Sequence, residues 1–390
     1  MKHVYIIGSK GIPASYGGFE TFADRLTAGK KSGELFYHVA CLDTLNRSET
    51  VNGAECFHLS VPRVGSARAV LYDRKAFLYA LREIEKNGYE HAVILVLACR
   101  LGPFFHSLVK KAHRLGAAVA VNPDGHEFLR AKWSPSIQKY WKYSERLMVK
   151  SADLMICDAK EMERYIREEY SAFSPKTVYL SYGADEEKKK ADAPSAEYQK
   201  WLTENGVSAG KYALTVGRFV PENNYETMIR EYMGAKTTMP FVLITDAQGS
   251  RFYAPLQKAL AFEKDHRIRF AGTVYDRALL TEIRKGAAFY IHGHEVGGTN
   301  PTLLEALGST EVNLLIDVPF SREVAEDTAF YWEKDQAGAL SGLIDMASKF
   351  SAPQRQVWGQ RAKHRIREAY TWDEVIDQYE KLLLSLGEPV

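Results

Sequence analysis

The 390-residue chain is 46% apolar and 26% charged, with a net charge of +2, the profile of a soluble globular protein long enough for two ordinary domains. So even a balance offers no overall attraction to nucleic acid, and no nucleic-acid partner is expected. The four cysteines, Cys41, Cys56, Cys99 and Cys157, form no C-x-x-C pair, which argues against structural zinc or a disulfide framework and fits a reducing cytosol. No charged-then-apolar leader opens the sequence and no apolar run nears the ~18 residues of a membrane span. The expectation is a cytoplasmic protein that meets a membrane only at its surface.

The opening HVYIIG predicts a strand that runs into the loop GSKGIPASYGGFE, with Gly8, Gly11, Gly17 and Gly18 ahead of a helix near Glu20. The loop has neither the dinucleotide fingerprint G-x-G-x-x-G nor the phosphate-cradling G-x-x-x-x-G-K-[ST]. Two readings stay open. Gly17 and Gly18 bring backbone close to a phosphate or sugar at a helix N-terminus, or the segment is an ordinary strand-to-helix loop. YHVACLD, HAVILVLA, AAVAVNPDG, ADLMICD and TVYLSYG predict further strands, alternating with helical patterns such as residues 69–87. That rhythm implies a mostly parallel sheet with helices on both faces.

VNPDGHEFLRAKW ends a strand with Asp124, His126 and Glu127, followed by Arg130 and Lys132; an acid, an imidazole and cations at a strand end suit sugar-hydroxyl recognition or proton transfer. Asp158 and Tyr182 fall at later strand ends, and Asp158 equally suits a helix N-cap. In SPSIQKYWKYSERLMVK, a rotation of about 100° per residue gathers Ile137, Trp141, Ser144 and Met148 on one face and Lys139, Lys142, Arg146 and Lys150 on the other. Residues 128–150 carry six basic side chains and one acid. A basic face for anionic lipid headgroups competes here with a solvated face over a buried stripe.

After Tyr182-Gly183, the charged segment ADEEKKKADAPSAEYQ reads as a linker. A second series follows: YALTVGR, PFVLITD, IRFAGTV, AAFYIHG and VNLLIDV. Arg218 lies just past the first of these strands, where an arginine fork can clamp a diphosphate; alone, it reads as a surface arginine. In YIHGHEVGGTNPTLLEALGST a strand leads to His294, Glu295, Gly297, Gly298 and Thr299, with Asn300 suited to an N-cap and Pro301 to the first helical turn. A glycine loop thus delivers a helix N-terminus fit for a diphosphate, and Glu305, one turn on, could accept a hydrogen bond from a ribose hydroxyl. The sequence has no D-x-D, no G-x-S-x-G and no metal-ligand histidine spacing, so no metal is expected. The tail reads as two helices broken near Thr371-Trp372. The fold expected is α/β, with two Rossmann-like domains over residues 1–187 and 188–370 facing a central cleft, and a C-terminal helix over 371–390.

GSKGIPASYGGFETF, VNPDGHEFLRAKW, GRFVPENNYETMI and YIHGHEVGGTNPTLLEAL, in that order, resemble bacterial rhamnosyltransferases of glycosyltransferase family 4, over nearly the whole chain. The resemblance implies a GT-B fold, with an acceptor-binding first domain, a donor-binding second domain and a C-terminal helix packed back on the first. It implies retaining, metal-independent transfer of L-rhamnose from dTDP-β-L-rhamnose to a lipid-diphosphate-linked GlcNAc or Glc. The setting implied is cell-wall and capsular polysaccharide biosynthesis at the inner face of the plasma membrane. No cofactor beyond the donor is implied.

Carried onto this sequence, Gly17 and Gly18 would meet the donor's phosphates or sugar, Arg218 its diphosphate, Glu295 its sugar and Glu305 its ribose. Asn223, Asn224, Tyr275, Gly297, Gly298, Thr299 and Asn300 complete the donor set. Asp124 and His126 would orient the acceptor, with Asp158 and Tyr182 as helpers. Two departures stand out: Asn224 occupies a position where many members carry lysine, and the glutamates stand ten residues apart, with Gly297 at the usual place of the first. Lys10 or Arg251 would supply the missing cation. A UDP- or GDP-sugar donor, or a non-catalytic nucleotide-sugar-binding scaffold, are the alternatives; a dinucleotide oxidoreductase lacks its fingerprint.

Overall fold

The computed structural model describes residues 1–14, 17–184 and 193–387. Half of the charged segment expected to be a linker, with the expected boundary at 187/188, falls in residues 185–192 and so outside the described residues, as does Tyr16 of the opening loop; the segment's last four residues begin a helix. The chain divides into two compact units. The first comprises Met1–Tyr182 together with Trp372–Val390, the second Gly183–Thr371.

The first unit runs β1 (Lys2–Ile7), α1 (Gly18–Ala28), β2 (Leu35–Asp43), β3 (Arg47–Val51), β4 (Ala54–Ser60), α2 (Ala67–Asn87), β5 (Val93–Leu97), α3 (Gly102–Arg114), β6 (Ala118–Asn122), α4 (Pro135–Ser151), β7 (Leu154–Cys157), α5 (Lys160–Glu169) and β8 (Thr177–Tyr179). Its eight strands lie in the order β3-β4-β2-β1-β5-β6-β7-β8. Every pairing is parallel except β3 with β4. Central β5, Val-Ile-Leu-Val-Leu, is buried at every residue, as a parallel strand covered on both faces must be.

The β3–β4 hairpin is absent from the reading above, although its turn carries one of the strongest short-range signals a sequence offers. Asn52 and Gly53 both adopt positive φ, 53° and 74°, the geometry that an Asn-Gly pair supplies for a two-residue hairpin. The alternation in β3 is weak because Arg47, Ser48 and Glu49 form a polar edge strand.

The second unit runs α6 (Ala196–Glu204), β9 (Ala213–Val216), α7 (Tyr225–Gly234), β10 (Phe241–Ile244), α8 (Tyr253–Leu260), β11 (Ile268–Phe270), α9 (Arg277–Gly286), β12 (Phe289–His292), α10 (Pro301–Ser309), β13 (Asn313–Ile316), α11 (Pro319–Ala325), β14 (Phe330–Trp332), α12 (Ala339–Ala347) and α13 (Ala352–Ala369). The six strands, all parallel, are ordered β11-β10-β9-β12-β13-β14. Alternate residues of β10 feed opposite faces: Phe241 and Leu243 join one apolar core, Val242 and Ile244 the other. The candidate residues lie in loops at the C-terminal ends of parallel strands, after β1, β6, β7 and β8 in the first sheet and after β9, β11 and β12 in the second, where open α/β sheets bind ligands.

The last helix, α14 (Trp372–Ser385), belongs to the first unit. Its Tyr379 and Leu383 are fully buried, and Tyr379 lies 4.9 Å from the Phe22 ring of α1. Beside them the buried Glu380 carboxylate accepts the Lys31 and Ser32 N–H groups, both at 2.9 Å. Apolar contact attaches the helix and backbone amides fix its position. Among the described residues, no helix is long and apolar enough to cross a membrane.

Candidate functional site

In the second unit, β9 and β12 are neighbours, and the loops after them are stitched together. Asn224, at φ 54° ahead of α7, sends its amide N–H groups to the Gly293 carbonyl at 2.8 Å and to Glu295 Oε2 at 3.0 Å. Asn223 donates to the Arg218 carbonyl at 2.8 Å, and its Oδ1 lies 2.6 Å from His294 Nδ1. The Glu295 N–H reaches the Glu222 carbonyl at 3.1 Å. This seam is tight enough that a Cβ on Gly293 would sit 2.5 Å from the Asn223 carbonyl oxygen. Asn224, at the position where many members of the resembled family carry lysine, is buried within the seam, so its amide holds the two loops in register.

Glu295 also pairs with Lys334, 2.7 Å away in the segment after β14. Sequence reasoning missed Lys334, which lies 39 residues on and joins the site only because β14 lines up beside β13. Burial alone would raise the Glu295 carboxyl, but hydrogen bonds from Lys334 and Asn224, with the Lys334 charge, outweigh it and hold the group below the usual carboxylate range. Lys334→Met is therefore expected to shift Glu295 titration upward, read by carbon-13 NMR of the glutamate carboxyls. An unmoved titration would mean that Lys334 does not set the charge of Glu295.

Arg218 is exposed on this surface, and among the described residues its guanidinium has no side-chain partner. Arg251, the alternative cation, is also exposed. Gly297, at φ 152°, packs against His294: a Cβ there would approach Nε2 to 2.9 Å. Asn300 caps α10 by accepting the Thr302 and Leu303 N–H groups at 2.9 and 3.4 Å, and Pro301 has no N–H to give. The first-turn amides that a diphosphate was expected to meet are thus already engaged by the cap. The N–H groups of Gly297 and Gly298 in this loop make no backbone hydrogen bond among the described residues. Thr299 is buried beside them.

Glu305 Oε2 forms an ion pair with Nη2 of the buried Arg284 of α9 at 2.6 Å. Its other oxygen makes no hydrogen bond among the described residues. Tyr275 stands 68% exposed in the loop after β11, at the sheet's edge.

In the first unit, the opening loop is closed by its own residues. A Cβ on Gly8 would collide with the Leu97 carbonyl oxygen, and one on Gly11 with Cys41 Sγ. These two glycines serve close packing against the ends of β5 and β2. Glu20, in the first turn of α1, accepts the Lys10 N–H at 2.7 Å and lies against Gly17, the N-cap residue. The chain's own carboxylate therefore sits at the helix end, beside Gly17 and Gly18. Lys10 itself is exposed.

Asp124 follows β6 at φ 63°, its N–H bonded to Asn122 Oδ1 at 2.8 Å. His126 packs edge-on against Tyr165, ring centroids 4.5 Å apart. Burial, then the nearby Lys142 charge, pushes His126 below its ordinary value, so the ring is neutral at pH 7. Asp158 and Tyr182 are 1% and 4% exposed. They share a closed polar cluster with Asn122 and Tyr379 of α14. Ala159, not Asp158, is the N-cap residue of α5. Tyr379 had no local signal in the sequence; only the return of α14 brings it here.

The basic face of α4 is smaller than its sequence count. Arg130 and Lys132 pair with Glu127 at 2.9 and 3.3 Å. Lys142 is half-buried over the rings of Phe128, Tyr165 and Tyr170 and pairs with Glu169 at 2.7 Å. Lys139, Arg146 and Lys150 remain exposed, while Trp141, Ser144 and Met148 form the buried stripe. Among the described residues, no group of three or more His, Cys, Asp or Glu side chains is arranged to hold a metal ion.

Residues 1–185 match the family described as "Domain of unknown function (DUF1972)". No curated protein sequence matches the chain. Its structure is similar to that of sucrose-phosphate synthase from Thermosynechococcus elongatus, with a TM-score of 0.77 at 15% identity over 99% of each chain. It is similar also to a glycosyltransferase from Rickettsia africae, with a TM-score of 0.75 at 11% identity over 100% of this chain and 99% of that one. Anabaena HepE in complex with UDP gives 0.70 at 12% identity, over 99% of this chain and 100% of that one. Two parallel-sheet α/β units, a final helix that returns to the first, and full-length overlap with these structures give the chain the GT-B fold.

Proposed function

We propose that this chain is a retaining glycosyltransferase that moves L-rhamnose from dTDP-β-L-rhamnose to a lipid-diphosphate-linked GlcNAc or Glc at the inner face of the plasma membrane. The observation that carries the transferase reading is the exposed Arg218 guanidinium, without a side-chain partner among the described residues, on a surface whose two loops are fixed by the Asn223–Asn224–Glu295 seam. Departure of a nucleoside diphosphate leaves negative charge that preorganised donors must meet. Arg218 and the Gly297 and Gly298 amides supply such donors without a metal. Glu295, held ionised by Lys334, suits a sugar hydroxyl, and the open oxygen of Glu305 suits the ribose. With no carboxylate assigned beneath the sugar, the acceptor attacks from the leaving-group side and the departing phosphate takes its proton. Asp124 and the neutral His126 orient the acceptor hydroxyl. The exposed Lys139, Arg146 and Lys150 favour an anionic surface near that acceptor.

The rhamnose donor rests on the four motifs. A UDP-sugar donor is the second reading, favoured by the UDP in the HepE structure. Titration with dTDP, UDP and GDP separates them: dTDP is expected to bind most tightly, and a clear preference for UDP or GDP would overturn the rhamnosyl donor while leaving transfer in place. A folded chain that binds none of the three would contradict both.

A further inference from the structure

Arg100 was not among the residues drawn from the sequence, yet it stands where both features of the first unit meet. It follows β5, the strand beside β1 at the centre of the sheet. Its Nη1 donates to the Gly8 carbonyl of the glycine loop at 2.8 Å and to Asp73 Oδ2 at 3.0 Å. Asp124 and Glu127 are also close enough to act on its charge. Asp73 is fully buried on α2, so its carboxylate fixes the guanidinium from beneath.

The backbone is fixed as well. The Arg100 carbonyl accepts the Tyr140 hydroxyl at 2.7 Å, and the Gly102 N–H donates to Ser144 Oγ at 2.8 Å, both on α4. A guanidinium has five N–H donors in one plane. Here both bonds use Nη1, Nε and Nη2 make none among the described residues, and 19% of the side chain is exposed. An arginine needed only to neutralise Asp73 could be covered completely. This one is anchored by one nitrogen and keeps a donor edge open, the arrangement that binds a phosphoryl group with little ordering cost.

We propose that Arg100 is the cation with which the first unit holds a phosphoryl oxyanion of a diphosphate substrate. The inference rests on the transferase reading for its ligand, since that reaction offers diphosphates on both donor and acceptor. It supplies a cation that Asn224 does not, on a rigid strand end and not on the exposed Lys10 or Arg251.

The test is binding measured without turnover, by calorimetric titration with dTDP for the donor side and farnesyl diphosphate for the acceptor side. The proteins are the full chain, Arg100→Lys, and Arg100→Gln combined with Asp73→Asn, which removes the buried pair together and strands no charge. Loss of a charged hydrogen bond to phosphate predicts about ten- to a hundredfold weaker binding of one ligand in the double variant. The other ligand should change less than about twofold, and partial recovery is expected in Arg100→Lys. Which ligand weakens identifies the substrate held. If the double variant melts early, Arg100→Lys carries the comparison alone. Folded variants that bind both ligands as the full chain does, or a full chain that binds neither, would overturn the proposal. Diphosphate binding lost with Arg100 in a chain that transfers no sugar would keep this inference and reject the transferase reading; transfer with unchanged binding would do the reverse.

Discussion

Arg218→Ala is expected to lower kcat/KM about 10²–10³-fold, or ~2.7–4 kcal/mol of transition-state stabilisation. The effect should fall mainly on kcat, because charge on the leaving diphosphate grows as the sugar bond breaks. The melting temperature should hardly move, since the guanidinium is exposed and has no side-chain partner among the described residues. Its carbonyl, which accepts from Asn223, is retained in the variant. Arg218→Lys should recover part of the rate, keeping charge and losing the fork. Steady-state kinetics alongside thermal melting check this. A stable Arg218→Ala protein with normal turnover would show that the leaving group is stabilised elsewhere.

Gly8→Ala carries the second large effect, on stability. Gly8 sits at φ 107°, where an L side chain is strained, and the added methyl would collide with the Leu97 carbonyl at the end of central strand β5. Backbone on both sides leaves nothing flexible to yield. A loss of about 3 kcal/mol or more is expected from strain and overpacking combined, which for a unit of this size lowers melting by ~6–12 °C. Because Arg100 donates to the Gly8 carbonyl, a displaced loop should also weaken diphosphate binding. Urea unfolding measures the first effect; wild-type stability in Gly8→Ala would mean that the loop does not pack against β5 as described.

Much of the architecture is legible because parallel strands buried on both faces read as near-continuous apolar runs: Val93–Leu97 and all but the last residue of Ala118–Asn122 announce themselves. The edge elements do not. Polar β3 and three-residue β14 carry little periodicity, and only the Asn52-Gly53 turn offered a local clue to the hairpin. In the candidate site, Asn300 and Pro301 were readable as a helix start because capping is local chemistry. The consequence of that cap, amides already taken, was visible only in the hydrogen bonds. Lys334, Arg284, Arg100 and Tyr379 were silent for one reason: each acts on residues tens to hundreds of positions away, brought near by strand order or by the return of α14. A count of basic residues overstated the α4 surface for the same reason, since Glu127 and Glu169 neutralise part of it.

The central claim is sugar transfer, and its most direct test is a turnover assay with dTDP-β-L-rhamnose and a short synthetic lipid-diphosphate GlcNAc in EDTA. Mass spectrometry would follow both the released dTDP and the glycolipid. The account predicts a glycolipid heavier by one rhamnose, formed in step with dTDP and keeping the β configuration of the donor at the anomeric carbon, read from the one-bond carbon–hydrogen coupling at C1 and from glycosidase sensitivity. Intact donor and unchanged glycolipid, with GlcNAc or Glc and with dTDP-, UDP- or GDP-sugars alike, would contradict it.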